Sequence, residues 1–189
     1  MSSDAPVAGA AVVCRNLRKT YANIAVVDDV SFSVEEGEVF GVLGPNGAGK
    51  TTAVECIVGL RVPDAGEISV LGMDPQRERP LLRECVGVQL QESTFPGRLK
   101  VWELLDLYRS FYRESADPNE LMEALGLGEK RNEYFKKLSG GQKQRLSVAL
   151  ALIGRPRIAV LDELTTGLDP QARRSTWELI EGVRDRGVT

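Results

Sequence analysis

Three short segments of this sequence carry residue types at spacings that can do chemistry. Gly44-Pro45-Asn46-Gly47-Ala48-Gly49-Lys50-Thr51 has the pattern of a phosphate-binding loop: a glycine, four residues, a second glycine, a lysine and a hydroxyl. Glycines let successive backbone N–H groups turn inward around a polyphosphate, and the helix start that follows adds partial positive charge. In that reading Lys50 pairs with the β- and γ-phosphates, the Thr51 hydroxyl ligates Mg2+, and Thr52 continues the phosphate-facing helix start. The plain alternative is a glycine-rich surface turn before a helix. Arg157-Ile158-Ala159-Val160-Leu161-Asp162-Glu163 is an apolar strand ending in two acids. Ligands of open parallel sheets bind beyond the carboxyl ends of the strands, so Asp162 is expected in the Mg2+ shell. Glu163, one residue on, is expected to accept a proton from an attacking water. A solvated pair of acids is the alternative. The third segment, Leu138-Ser139-Gly140-Gly141-Gln142, followed by Lys143-Gln144-Arg145, reads as a second anion-binding helix start or as an ordinary N-cap with flexible glycines.

Positioning these segments needs alternating strands and helices. Ala11–Leu17 and Val26–Val34 read as half-buried strands forming an antiparallel β layer. Val39–Leu43 reads as a short apolar strand running into the phosphate loop, with a helix from about Gly49 to Leu60. Pro63-Asp64-Ala65-Gly66 breaks the chain, Glu67–Leu71 and Val86–Gln89 follow as strands, and Leu81–Cys85 ends a short helix. Val101, Leu104, Leu105, Leu107, Tyr108, Phe111 and Tyr112 recur at helical spacing, which marks residues 92–138 as a helical subdomain. Ser139–Ile153 is a further helix, Arg157–Leu161 a buried strand, and Asp169-Pro170 opens a last helix. The expected division is a lead-in at 1–10, the β layer and phosphate loop at 11–91, the helical subdomain at 92–138, and the segment 139–189 with the signature helix and acidic strand.

Composition narrows the classes. The 189 residues are 42% hydrophobic and 27% charged, as in globular domains, and the net charge of −3 gives no nucleic-acid footprint. Cys14, Cys56 and Cys85 are widely spaced among apolar neighbours, which suits reduced cytosolic thiols. The sequence has no histidine, which removes histidine bases and makes a zinc site unexpected. No apolar run approaches the roughly 20 residues that span a bilayer, and the N-terminus lacks signal-peptide features.

The phosphate loop, the Leu138–Gln142 segment and the Leu161-Asp162-Glu163 strand, in this order, resemble the nucleotide-binding domain of the ATP-binding cassette family from about residue 11 to the end. The resemblance implies an α/β fold: a P-loop NTPase core with an antiparallel β layer and a helical subdomain. It also implies ATP and Mg2+ as ligands and a head-to-tail dimer with a second cassette subunit. In that dimer Ser139, Gly140, Gly141 and Gln142 of one subunit close over ATP held by the other. Tyr21 resembles the aromatic that stacks on adenine; its alternative is a strand-edge tyrosine. Gln91 resembles the glutamine that reaches Mg2+ and links core to helical subdomain, with Gln89 as a competing assignment. Asp169 resembles the acid whose loop crosses the dimer interface, or is a plain helix N-cap.

The family's usual proline after the acid pair is Leu164 here. The family's γ-phosphate histidine, at the end of the next strand, has no counterpart before Thr189. The implied reading is therefore a chain cut before a core strand, with a hydrophobic sheet edge left uncovered. The resemblance implies an ATPase subunit that energises a separate transmembrane permease, held by it on the cytoplasmic face of the membrane, with a bacterial exporter of the drug and antibiotic type favoured. A truncated, non-hydrolysing nucleotide binder is the alternative, and a soluble cassette ATPase acting on ribosomes or DNA is a further one.

Overall fold

The computed structural model describes residues 9–89, 95, 97–162 and 170–189, without the side chains of 170–173 and 175. The chain divides into two compact units at Leu82/Arg83, with Thr189 joining the first.

The first unit is built on a long hairpin. Strand β1 (Ala10–Tyr21) pairs antiparallel with β2 (Ile24–Glu35). The two-residue connection Ala22-Asn23 has φ of 46° and 67°, the positive values a type I′ turn needs to match strand twist. Strand β3 (Ala65–Val70) pairs antiparallel with the other edge of β1, giving the order β2-β1-β3 and the expected antiparallel layer. Helix α1 (Lys50–Ile57) packs Ala53 and Cys56 against Cys14 and Leu17 of β1 and Val27 of β2. Burial pushes the Cys14 thiol up to about 11 and Cys56 in the same direction, so both favour the protonated, unreactive form. The three cysteines are free, as their spacing suggested.

Two expectations for this unit are corrected. Helix α1 ends at Ile57 rather than Leu60, because Gly59 at φ 75° turns the chain where a Cβ would overlap the Pro75 carbonyl. Val39–Leu43 forms no strand ladder: Val39, Phe40, Val42 and Leu43 are exposed, Leu43 at 93%. An apolar run of this kind becomes a strand only when flanking strands take its N–H and C=O groups. The described strands of its unit pair only with one another. Phe40 instead stacks on Phe32 of β2, ring centroids 5.0 Å apart.

In the second unit, α2 (Arg79–Cys85), which crosses the division, leads into β4 (Val86–Gln89). β4 pairs parallel with β5 (Ile158–Leu161), Val86 opposite Ile158 and Gln89 opposite Leu161. Helices α3 (Val101–Arg109), α4 (Pro118–Ala124) and α5 (Gly140–Leu152) share one apolar core with Leu104, Leu105, Leu121, Met122, Leu146 and Ile153 at its centre. Each such side chain contributes about 1.5–3 kcal/mol on burial. α4 starts as its sequence dictates: the Asp117 carboxylate accepts the Asn119 N–H at 2.7 Å and Pro118 occupies the first turn. Gly87 lets α5 lie on β4, since a Cβ there would overlap the Ala151 carbonyl oxygen. Helix α6 (Pro170–Arg184) closes the described chain. No described helix is long and apolar enough to cross a membrane.

Candidate functional site

In the first unit the segment from Gly44 to Gly49 is solvent-exposed apart from Gly49 and runs into α1. Ala48 N–H donates to the Pro45 carbonyl at 3.2 Å, and Gly47 and Gly49 take φ of 82° and 79°. Those angles favour glycine, so the glycine spacing is a backbone requirement and not composition alone. The Lys50 ammonium curls back over the loop, donating to the carbonyls of Gly44 at 2.9 Å and Pro45 at 2.8 Å. No acid sits in the first turn of α1, where Lys50, Thr51 and Thr52 surround unpaired helix N–H groups. A cationic, glycine-lined helix start of this kind binds phosphate.

Gly49 is the most constrained point of the loop. It is the N-cap of α1, and a Cβ on it would overlap the Val26 carbonyl oxygen and press Val27. Gly49→Ala is therefore expected to destabilise the first unit by more than about 2 kcal/mol, from strained φ plus backbone overlap. It is also expected to weaken nucleotide binding. Thermal unfolding with calorimetric titration checks this, and an unchanged melting point and affinity would contradict the packing described.

The contact at Val26 also joins the loop to the hairpin, whose end carries Tyr21. Val27 pairs with Lys19 and Ile24 with Tyr21 across the strands. Tyr21 is 37% exposed, with Lys19 Nζ 5.7 Å and the Arg61 guanidinium carbon 5.4 Å from its ring centroid. Lys19 is paired with Asp64 at 2.6 Å, and this bond together with the Thr20 N–H lowers the Asp64 carboxyl to about 2. Sequence reasoning missed Lys19, Arg61, Glu55 and Asp64 as a group. Asp64 was legible only as part of a Pro-Asp-Ala-Gly turn, and partners more than forty positions apart leave no spacing signal.

In the second unit, Asp162 continues the parallel pair: its N–H donates to the Gln89 carbonyl at 3.0 Å. Its Oδ2 is buried and accepts no hydrogen bond among the described residues. A buried carboxylate oxygen without a donor is costly unless a cation or donor arrives, which fits a metal-ligand role. Among the described residues no group of three or more His, Cys, Asp and Glu could by itself hold a metal ion.

Ser139 caps α5 in a capping box. Its hydroxyl accepts the Gln142 N–H at 3.3 Å, and the Gln142 amide oxygen accepts the Ser139 N–H at 3.0 Å. Gly140 and Gly141 are different from Gly49: a Cβ on either would meet open space, and neither has positive φ. The fold of this chain does not require them to be glycine. Gln91, Glu163, Leu164 and Asp169 lie outside the described residues.

A glycine-cradled phosphate loop, a strand-borne carboxylate and a capped glycine-rich helix start define a P-loop nucleotide-binding fold. The ABC transporter family model matches residues 27–166, and the chain belongs to that family. It is 42% identical over 179 residues to the Nod factor export ATP-binding protein I of Rhizobium etli, covering 92% of this chain and 57% of that protein. It is 43% identical to the protein of the same name from Burkholderia orbicola, covering 93% of this chain and 59% of that one. The chain thus spans somewhat over half the length of these curated relatives. It superposes on the ATP-binding subunit of an ABC transporter with a TM-score of 0.80 at 27% identity, over 94% of this chain and 76% of that chain.

Proposed function

We propose that this chain is the catalytic core of an ATPase subunit that energises a membrane exporter by closing head to tail with a second cassette. The observation that carries the reading is the contrast between the glycines. In the phosphate loop Gly47 and Gly49 take left-handed φ and Gly49 also abuts Val26, whereas Gly140 and Gly141 have neither constraint and are explained by close approach of another molecule's phosphate. Within one subunit Lys50 and the loop N–H groups hold the β- and γ-phosphates, and Tyr21 stacks on adenine. Ser139, Gly140, Gly141 and Gln142 of the second subunit cover the γ-phosphate, with Asp169 at the dimer interface.

Thr51, Asp162 and Gln91 are the residues that would hold Mg2+, which when bound neutralises charge on the β- and γ-phosphates. Glu163 orients the attacking water and takes its proton as the water oxygen bonds to the γ-phosphorus. The bond from that phosphorus to the β-phosphate oxygen breaks, leaving ADP and phosphate. The permease is a separate polypeptide that chooses the cargo and holds the ATPase on the cytoplasmic face. The relatives' names, which specify Nod factor export, favour an exporter.

Sedimentation in the presence of Mg2+ and an ATP analogue with an imido β–γ bridge tests the dimer. The expected result is a monomer without nucleotide and a dimer with it, lost in Gly141→Asp while the monomer still binds nucleotide. Sedimentation indifferent to nucleotide would overturn the reading.

A further inference from the structure

The two cations against the Tyr21 ring are both anchored. Lys19 is only 16% exposed and is tied to Asp64. Arg61 is tied through Nε to the Glu55 carboxylate at 2.6 Å, and Glu55 is itself only 22% exposed. The backbone repeats the connection: the N–H groups of Leu60 and Arg61 donate to the Glu55 carbonyl at 2.8 and 3.0 Å. The Arg61 carbonyl in turn accepts Gln76 Nε2 at 2.7 Å. Glu55 belongs to α1, the helix that Lys50 begins.

We infer that Arg61 is a positioning residue for the nucleotide base: through Glu55 it ties the Tyr21 ring to the helix whose other end holds the phosphates. The inference rests on Tyr21 being the base platform. A half-exposed tyrosine at a hairpin end loses rotamer freedom when a base stacks on it, and this loss opposes binding. A guanidinium held on the ring removes much of that freedom beforehand and draws electron density from the ring, which favours stacking with an electron-rich purine. Arg61 suits the task because its planar fork engages the carboxylate and the aromatic ring together. The Glu55–Arg61 link thereby couples the platform to the helix that the phosphate loop opens.

The test compares the affinity of the full chain for ATP with its affinity for inorganic tripolyphosphate, which lacks the base. Tyr21→Ala is expected to lower the ATP-to-tripolyphosphate preference, and if it does not, the platform reading itself fails. Arg61→Ala is expected to lower that preference about two- to fivefold, the range of an exposed cation–π contact, with tripolyphosphate affinity unchanged. Arg61→Lys, which keeps a cation, is expected to recover part of it. Three outcomes overturn the inference while leaving Tyr21 as the platform. One is that Arg61→Ala changes neither affinity, and so leaves the preference as it was. Another is a preference that rises, which would mean that the guanidinium competes with the base for the ring. The last is equal loss of both affinities, which would mean that Arg61 supports only the helix.

Discussion

Lys50→Ala is expected to weaken ATP binding by about 10- to 100-fold, the range for losing hydrogen bonds to a charged group. The side chain has two tasks. It ties the Gly44 and Pro45 carbonyls to the helix start at 2.9 and 2.8 Å, and it brings the positive charge proposed to pair with the β- and γ-phosphates. A substitution that keeps length and removes charge, Lys50→Met, is expected to lose about as much affinity as alanine, because the charge is the larger part. Isothermal titration with ATP and Mg2+ checks both variants. An unchanged dissociation constant in either would remove the phosphate loop from nucleotide binding.

Glu163→Gln is expected to leave ATP affinity close to that of the unaltered chain and to lower turnover by about 100- to 10,000-fold, the contribution of a positioned general base. Asp162→Asn is expected to behave differently although the two acids are adjacent. Asp162 is held to β4 through its own N–H and has a buried oxygen without a donor among the described residues, so its loss should appear first in the Mg2+ concentration needed for activity. Steady-state hydrolysis measured against Mg2+ concentration separates the two variants. Undiminished turnover in Glu163→Gln would remove it from the base role, and equal Mg2+ dependence in both variants would collapse the division of labour.

The parts of the site readable without a structure are those set by short-range geometry. A phosphate loop is recognisable because its glycines, lysine and hydroxyl must fall within eight consecutive positions, and the structure gives Gly47 and Gly49 left-handed φ, a conformation that favours glycine. Ser139 and Gln142, three apart, form the reciprocal cap their types allow. The hairpin of β1 and β2 and the parallel pairing of β4 with β5 likewise follow from alternation and strand–helix order. Val39–Leu43 shows the limit of such reading. Its apolar character marks it for a sheet interior, but strand formation is a property of a pair, and no described strand of its unit lies beside it.

What the sequence by itself determined is therefore the local character of each segment: a glycine-lined helix start bearing a lysine and hydroxyls, an acid-bearing strand, a capped glycine-rich helix. These depend on residues a few positions apart, and local sterics and hydrogen bonding suffice to specify them. Tertiary structure alone decided which glycines the fold requires, because the obstacle to a Cβ at Gly49 is Val26 and at Gly87 is Ala151, each far along the chain. It alone decided that Arg61 and Lys19, anchored by Glu55 and Asp64, meet at the ring of Tyr21. Such meetings are set by the packing of α1 against the β1–β2 hairpin, and burial of apolar side chains drives that packing without regard to distance along the chain.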